Sequence, residues 1–339
     1  MPEIHLPGKI IFGKDKVNDF HPESCEHAIL ICDSEMLQNR GFLETIKSKS
    51  TKMISHVSVA VNYDVHKLYA EASEMFFENE ADMIIAAGSS AAIDCGMLLS
   101  YESKAKFTAI PCCGSCAMTD FESGRYYTYR HSPDTIILDP SIIRCVPSGM
   151  IAYDGMACLS YAIDTLKNTD NIITRQFAVN GAVGILKNII PAYRGNIAAL
   201  EQLMYAMYFA VVAHRNGADP EASVMSRTSE FFAGFGYPRS SVCALIIPNI
   251  MEEEYTFLKN SLFEIAVKSD IAHADDYPDF AVSKLIDKVR KTQACLGIPR
   301  SISGFGLNEN EYRNKKSSTN VSDDLLDLCY YGSFKFMKL

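Results

Sequence analysis

The sequence has no surplus of positive charge. Acidic residues outnumber basic ones, 41 to 32, and the formal net charge is −9. Nucleic acid and anionic membrane both demand a basic face, so neither partner is expected. No apolar run approaches the roughly 20 residues that cross a bilayer. The opening "MPEIHLPGKIIFG" puts Pro, Glu and His where a secretory leader has a basic start and an apolar middle, so no leader is expected. Disulfides are not expected either. The eleven cysteines are odd in number, and Cys32, Cys95, Cys158, Cys243 and Cys295 lie inside apolar segments. That usage fits reduced thiols acting as small hydrophobes, and with it a cytoplasmic location. The GxGxxG fingerprint is missing. So is a zinc knuckle, because Cys112, Cys113 and Cys116 have the wrong spacing and no second pair nearby.

What is present is a large apolar fraction, 48% of 339 residues, enough for a sizeable core and long enough for two domains. Residues 1–147 alternate short β-type runs with helical patterns. "HAILIC" (27–32), "KMISHVSVAV" (52–61), "DMIIAAG" (82–88), "FTAIP" (107–111) and "TIILDP" (135–140) read as strands. Helical periodicity separates them, over 65–76 and 92–101. Apolar strands alternating with helices predict a Rossmann-like parallel sheet covered on both faces. Residues 148–339 change texture. Segments at 150–166, 171–190, 197–214, 220–233, 240–258 and 278–296 have helical period and few β-branched clusters, so this half is predicted to be all-helical. Gly297 and Pro299 close the last of them. The acidic run "MEEEY" (251–255) is expected to be a solvated helix end, and the polar tail 309–324 to be mobile at its centre.

The stretch "MIIAAGSSAAID" (83–94) carries the first chemical signal. A strand stops at Gly88-Ser89-Ser90 and a helical pattern begins. In an open parallel sheet, ligands lie at the carboxyl ends of strands. Small residues leading into a helix offer backbone N–H groups to a phosphate. A tight turn with no ligand would use the same residues. "IPCCGSCAMTD" (110–120) repeats the pattern at a second strand end.

Taken in order, these segments resemble the family of iron-containing alcohol dehydrogenases, glycerol dehydrogenases and dehydroquinate synthases. "PGKIIFGKDKV" looks like the family's N-terminal strand, and "AILICDSEMLQNRGF" like the next strand with its Asp and Gly. "ADMIIAAGSSAAIDCGM" is similar to its Gly-Gly-Gly-Ser-x-x-Asp-x-x-Lys loop. "IPCCGSC" stands where the family has Pro-Thr-Thr, and "PRSSVCALIIPNI" resembles its later His-Gly helix. The resemblance implies a nucleotide-binding α/β domain (1–147), an all-helical substrate domain (148–339) and a nicotinamide dinucleotide between them. It assigns Gly88, Ser89 and Ser90 to the pyrophosphate, Asp33 to the adenosine ribose, and Asp94, Cys112 and Cys113 to further cofactor contacts. A carboxylate at Asp33 favours NAD(H) over NADP(H). A plain turn after a strand would also use Asp33.

The departures from the family matter as much. Met97 replaces the loop Lys. Ala157 and Tyr161 stand where the family has a metal-binding Asp and a His four residues later, Met225 near its third ligand and Arg239 at its fourth. Ala and Met offer no hard ligand and a guanidinium repels a divalent cation, so no metal is expected. Asp154 is displaced by almost a helical turn, and His214 has no visible partner. Arg239 then becomes the candidate for stabilising charge on a substrate oxygen and Tyr161 the candidate proton carrier. The expected activity is an NAD(P)-linked oxidoreductase acting on a small alcohol, aldehyde or ketone, with an anionic substrate suited to Arg239. The alternative is a non-catalytic nucleotide-binding pseudoenzyme or regulatory protein. A dehydroquinate-synthase-like cyclase would want a metal and several Lys, and neither is seen. A homodimer could form through the strand in "EIHLPGKIIFG", although a hairpin within one chain would use the same residues.

Overall fold

The computed structural model describes residues 3–21, 25–38, 41–48, 53–59, 65–114, 132–217, 223–317 and 319–332. The chain divides into two compact units, Glu3–Pro147 and Ser148–Leu339.

The first unit is built on the apolar runs. They form β1 (Lys9–Phe12), β2 (His27–Cys32), β3 (Met53–Ser58), β4 (Met83–Gly88), β5 (Lys106–Pro111) and β6 (Thr135–Leu138). Between them lie α1 (Ser34–Gln38), α2 (Phe42–Ser48), α3 (Val65–Glu78) and α4 (Ser90–Ser103), with α5 (Pro140–Ile143) after β6. The six strands make one sheet in the order β1-β6-β5-β4-β2-β3. Every pairing is parallel. Strands β2 and β4 are buried along their whole length, as a parallel sheet covered on both faces requires.

The N-terminal strand pairs with β6 of its own chain, Lys9 opposite Thr135 through Phe12 opposite Leu138, so the hairpin is not formed. Asp139 fixes the chain as it leaves β6. Its buried carboxylate caps α5 by accepting from the Ser141 amide, and accepts from the amides of Asp15 and Val17 at 3.0 and 2.9 Å.

The chain goes from β2 to β3 on one side and then crosses to β4 on the other. That reversal makes the β2/β4 boundary the topological switch point, the place at which open α/β sheets bind ligands. Helix α4 lies close on the sheet because Gly96 faces it. A Cβ there would come within 2.8 Å of both Ala86 Cβ and the Phe107 ring.

The second unit contains α6 (Ser148–Asn168), α7 (Ile172–Tyr193), α8 (Ile197–Gly217), α9 (Val224–Ala233), α10 (Arg239–Glu253), α11 (Tyr255–Lys268), α12 (Pro278–Cys295), α13 (Glu309–Lys316) and α14 (Asp323–Tyr331). Helices α7 and α8 touch backbone to backbone, since a Cβ on Gly181 would meet the Ala210 amide at 2.8 Å. Helix α8 is long and apolar enough to cross a membrane, with mean hydropathy 1.3, yet 61% of that stretch is buried inside the protein.

Three expectations need correction. The segment 240–258 is two helices, broken at Glu254. Within the acidic run 251–255, Glu254 is buried and pairs with Lys167, while Glu252 and Glu253 are exposed. The tail 309–324 forms α13 over Glu309–Lys316 and begins α14 at Asp323, and Ser318 at its centre lies outside the described residues. Its polar text hides Tyr312, which is fully buried and stacks on Tyr330 at 4.1 Å with the rings 3° from parallel. Asn308 and Ser322 cap the two helices. Cys295 is exposed, because it falls on the last residue of α12.

Replacing Gly96 by alanine adds about 1 kcal/mol of helix propensity but overfills the α4–sheet contact. Gly96→Ala is expected to lower stability by a net ~1–2 kcal/mol, read from the urea midpoint. A midpoint equal to or above that of the parent protein contradicts this packing.

Candidate functional site

In the first unit, the switch point is organised by Asp33. It follows β2 directly, and its carboxylate accepts the Ser89 amide at 2.6 Å and the Ser89 hydroxyl at 3.0 Å. Gly88 makes this approach possible. Its φ is +126°, and a Cβ there would sit 2.1 Å from Asp33 Oδ2, so both conformation and space exclude a side chain. Burial pushes the Asp33 carboxyl above its usual range, and the two bonds from Ser89 pull it back in part.

The same contact decides which amides face a ligand. Ser89 stands at the N-cap of α4 but does not cap it, because its hydroxyl is turned to Asp33. The Ile93 amide closes the first helical bond onto Ser89 O. The amides of Ser90, Ala91 and Ala92 therefore have no acceptor within the helix. The uncapped turn carries the positive end of the helix dipole. Asp94 lies one turn further along α4, half-buried, and Met97 is buried beyond it. The Cys112 amide donates to Gly88 O at 2.8 Å and ties the ends of β5 and β4 together. The side chains of Cys112 and Cys113 are buried. Cys116 lies outside the described residues.

In the second unit Tyr161 and Arg239 belong to one electrostatic cluster. Arg239 opens α10 and donates from Nε to the Ser229 hydroxyl at 3.3 Å. Its charge reaches Tyr161, Asp164 and His214. Tyr161 and Asp164 are three residues apart on α6 and so share a face. His214 arrives from α8 and stacks its ring on Tyr161 at 4.7 Å. The Ser223 hydroxyl donates to Asp164 Oδ1 at 2.7 Å while accepting the Ser226 amide as the N-cap of α9.

Protonation states follow from burial. Burial pushes the Tyr161 phenol well above its usual range, against the weaker opposite pull of Arg239. At neutral pH it is a hydroxyl, able to donate. Burial, aided by Arg239, pushes His214 down to about 3, so it is a neutral imidazole. Asp164 is pushed up to about 6 by burial, against the hydrogen bond from Ser223. His214 Nδ1 and Asp164 Oδ2 face each other at 4.0 Å, and neither has a hydrogen-bond partner.

Sequence reading missed Asp164, Ser223 and Ser229 and left His214 without a partner. The three-residue spacing of Tyr161 and Asp164 was the only signal within one segment. The rest depends on which helices pack together.

No family model matches the chain. It is 24% identical to the NADPH-dependent butanol dehydrogenase of Clostridium saccharobutylicum over 353 aligned positions, covering 93% of this chain and 89% of that protein. The maleylacetate reductase of Agrobacterium tumefaciens superposes with a TM-score of 0.78 at 18% identity, covering 98% of this chain and 99% of that one. The iron-containing alcohol dehydrogenase of Thermococcus thioreducens gives 0.82 at 17% identity, covering 98% of this chain and 100% of that one. The fold is that of the iron-containing alcohol dehydrogenases.

Within that fold, the four positions that the resemblance assigns to metal ligands hold Ala157, Tyr161, Met225 and Arg239. Ala157 and Met225 are buried and apolar. Arg239 puts a fixed positive charge on the same cluster. Among the described residues, no three His, Cys, Asp or Glu side chains gather as a ligand set. The residues present do not fit a divalent cation of the family type.

Asp164 gives this cluster a pH signature. Its carboxyl sits at about 6 in the folded chain, against about 3.9 when unfolded. The folded state binds this proton more tightly, so the Asp164 contribution falls as pH rises from about 4 to about 6. Asp164→Asn is expected to be more stable than the parent chain at pH 7.5 by up to ~3 kcal/mol, with the advantage gone near pH 4. Urea midpoints at the two pH values check this, and a difference that does not change with pH contradicts it.

Proposed function

We propose that this chain is a nicotinamide-dinucleotide-linked oxidoreductase that acts on the carbonyl or alcohol group of a small substrate without a divalent cation. The dinucleotide is assigned to the first unit, and Tyr161 and Arg239 are the residues of the second assigned to the chemistry. The observation that carries this reading is the cluster in which Tyr161 stacks on His214 beside Asp164, within reach of the Arg239 charge. It is supported by likeness over nearly the whole chain to a protein named as a butanol dehydrogenase.

The dinucleotide supplies or accepts the hydride when bound. The uncapped amides of Ser90, Ala91 and Ala92 bind the diphosphate, and Asp33 sits where an adenosine ribose is read. Its charge is the ground for NAD(H) ahead of NADP(H). In the reducing direction, carbonyl carbon receives the hydride and negative charge grows on oxygen. The Arg239 guanidinium stabilises that charge, held in direction by Ser229. The Tyr161 hydroxyl passes its proton to the same oxygen. Oxidation runs the same steps backwards. Arg239 also suits a substrate bearing a carboxylate or phosphate. The ten described cysteines are not joined in disulfides, which suits the cytoplasmic location included in this proposal. Homodimerisation along the open edge of β1, where Phe12 is exposed, belongs to it as well.

The competing reading is a nucleotide-binding protein without turnover. It is favoured by the Ser89 amide being already occupied by Asp33. A panel of aldehydes and keto acids with NADH and NADPH, run on metal-stripped protein, separates the two. We expect turnover that survives chelator. Arg239→Gln is expected to lower kcat about 10²–10³-fold and Tyr161→Phe about 10²–10⁴-fold, with dinucleotide affinity unchanged. Activity that vanishes on chelation and returns with iron or zinc overturns the proposal. Binding with no turnover across the panel favours the competing reading.

A further inference from the structure

In the helical unit, two buried groups that the proposed reaction does not use face each other without a bond. His214 Nδ1 and Asp164 Oδ2 lie 4.0 Å apart, and neither atom has a hydrogen-bond partner. The two side chains are only 13% and 4% exposed, so bulk water does not satisfy them. The rest of each side chain is engaged. Asp164 Oδ1 accepts the Ser223 hydroxyl at 2.7 Å. The His214 ring stacks on Tyr161 with the planes 23° apart, and it is also hydrogen-bonded to the Tyr161 main chain.

That main-chain bond favours a protonated ring nitrogen, so the imidazole donates it to the Tyr161 carbonyl. Nδ1 makes no bond, so the donor is Nε2, and in a neutral ring Nδ1 is left as a bare acceptor. An ionised Asp164 opposite it offers only acceptors as well. Two acceptors facing each other in a buried site repel. A proton on Asp164 turns the same contact into an O–H donor aimed at a nitrogen lone pair, and closing it to hydrogen-bonding distance takes about 1 Å. We infer that Asp164 is a positioning residue for Tyr161: carrying a proton, it bonds His214 Nδ1 and so fixes the imidazole against which the Tyr161 ring is stacked. The inference deepens the proposal above and rests on the role given there to Tyr161.

Asp164 is suited to hold that proton because burial pushes its carboxyl up to about 6, against the pull of Ser223 and Lys167. The charged and titratable groups acting on it are Lys167 from α6, Arg239 and Cys243 from α10, and Glu254 from the break before α11. Burial and Arg239 keep His214 neutral over the same range. Below about 6, therefore, the pair holds one proton and the contact is closed. As pH rises through that value the carboxylate comes to face the lone pair and the contact opens. His214 then keeps only its stack and its main-chain bond, and the Tyr161 hydroxyl is less well aimed. An asparagine at this position is a permanent substitute for the protonated acid. Its amide N–H faces Nδ1 while its carbonyl accepts from Ser223.

Nitrogen NMR of the full chain with isotope-labelled histidine, run as a pH series on the parent and Asp164→Asn, tests the contact. His214→Gln assigns the signal by its loss; if that variant does not fold, the signal that differs between the other two serves. In the parent, His214 is expected as the Nε2–H tautomer, with an Nδ1 shift that moves through a midpoint near 6. In Asp164→Asn the shift is expected to stay constant from about pH 5 to about pH 8. Kinetics test the positioning role on any carbonyl substrate that is turned over. The parent kcat is expected to fall about tenfold over the same range, the size of one hydrogen bond, with KM unchanged. Asp164→Asn is expected to stay level near the parent's acid value, and Asp164→Leu, which has no donor, near its alkaline value. An Nδ1–H tautomer, a titration shared by parent and Asp164→Asn, or no histidine signal that differs between them overturns the inference. A kcat profile that Asp164→Asn does not flatten overturns the positioning role and leaves the oxidoreductase reading standing. A parent that turns over nothing removes that reading and the role toward Tyr161 with it, while the NMR series still decides the contact.

Discussion

Asp33 ties two strand ends together at the carboxyl edge of the sheet. Its oxygens take the amide and hydroxyl of Ser89, across the boundary between β2 and β4. The contact requires Gly88, since any Cβ there would overlap the carboxylate. It also takes the Ser89 hydroxyl away from capping α4. One carboxylate thus closes the loop, fixes the strand ends and leaves the first turn of the helix without a side-chain cap. Removing it would free a hydroxyl to cap the helix and would loosen the switch point at the same time.

The helical unit makes a different compromise. Tyr161, Asp164, His214 and Arg239 form a polar cluster inside an apolar bundle, and two of its atoms face each other unpartnered. Each buried polar group left without a partner costs about 1–3 kcal/mol. Packing alone gives no reason to keep such a cluster, whereas perturbed titrating groups gathered in one place are a usual feature of reactive sites. The state of the cluster at neutral pH is a protonated phenol, a neutral imidazole and a fixed guanidinium. That set can donate a proton and stabilise an oxyanion.

The sheet was legible because its strands are short apolar runs bounded by turns. "HAILIC" and "DMIIAAG" appear in the structure almost to the residue. The parallel arrangement followed from the alternation with helices. What periodicity could not show was the work of single residues. Tyr312 anchors the helix α13, whose other residues are polar, so composition alone gave no sign of its burial. Glu254 stands at the break between α10 and α11 and pairs with Lys167, from a distant part of the chain. Gly88, Ser89 and Arg239 could be named from local sequence and resemblance. The inward turn of Asp33 and the stacking of His214 on Tyr161 depend on packing across elements, which local sequence does not encode.

The most direct measurement is a crystal structure of the chain with NADH bound. The account predicts the diphosphate against the amides of Ser90 and Ala91, with the adenosine ribose beside Asp33. A nucleotide bound elsewhere, with only solvent at the β2/β4 boundary, contradicts it.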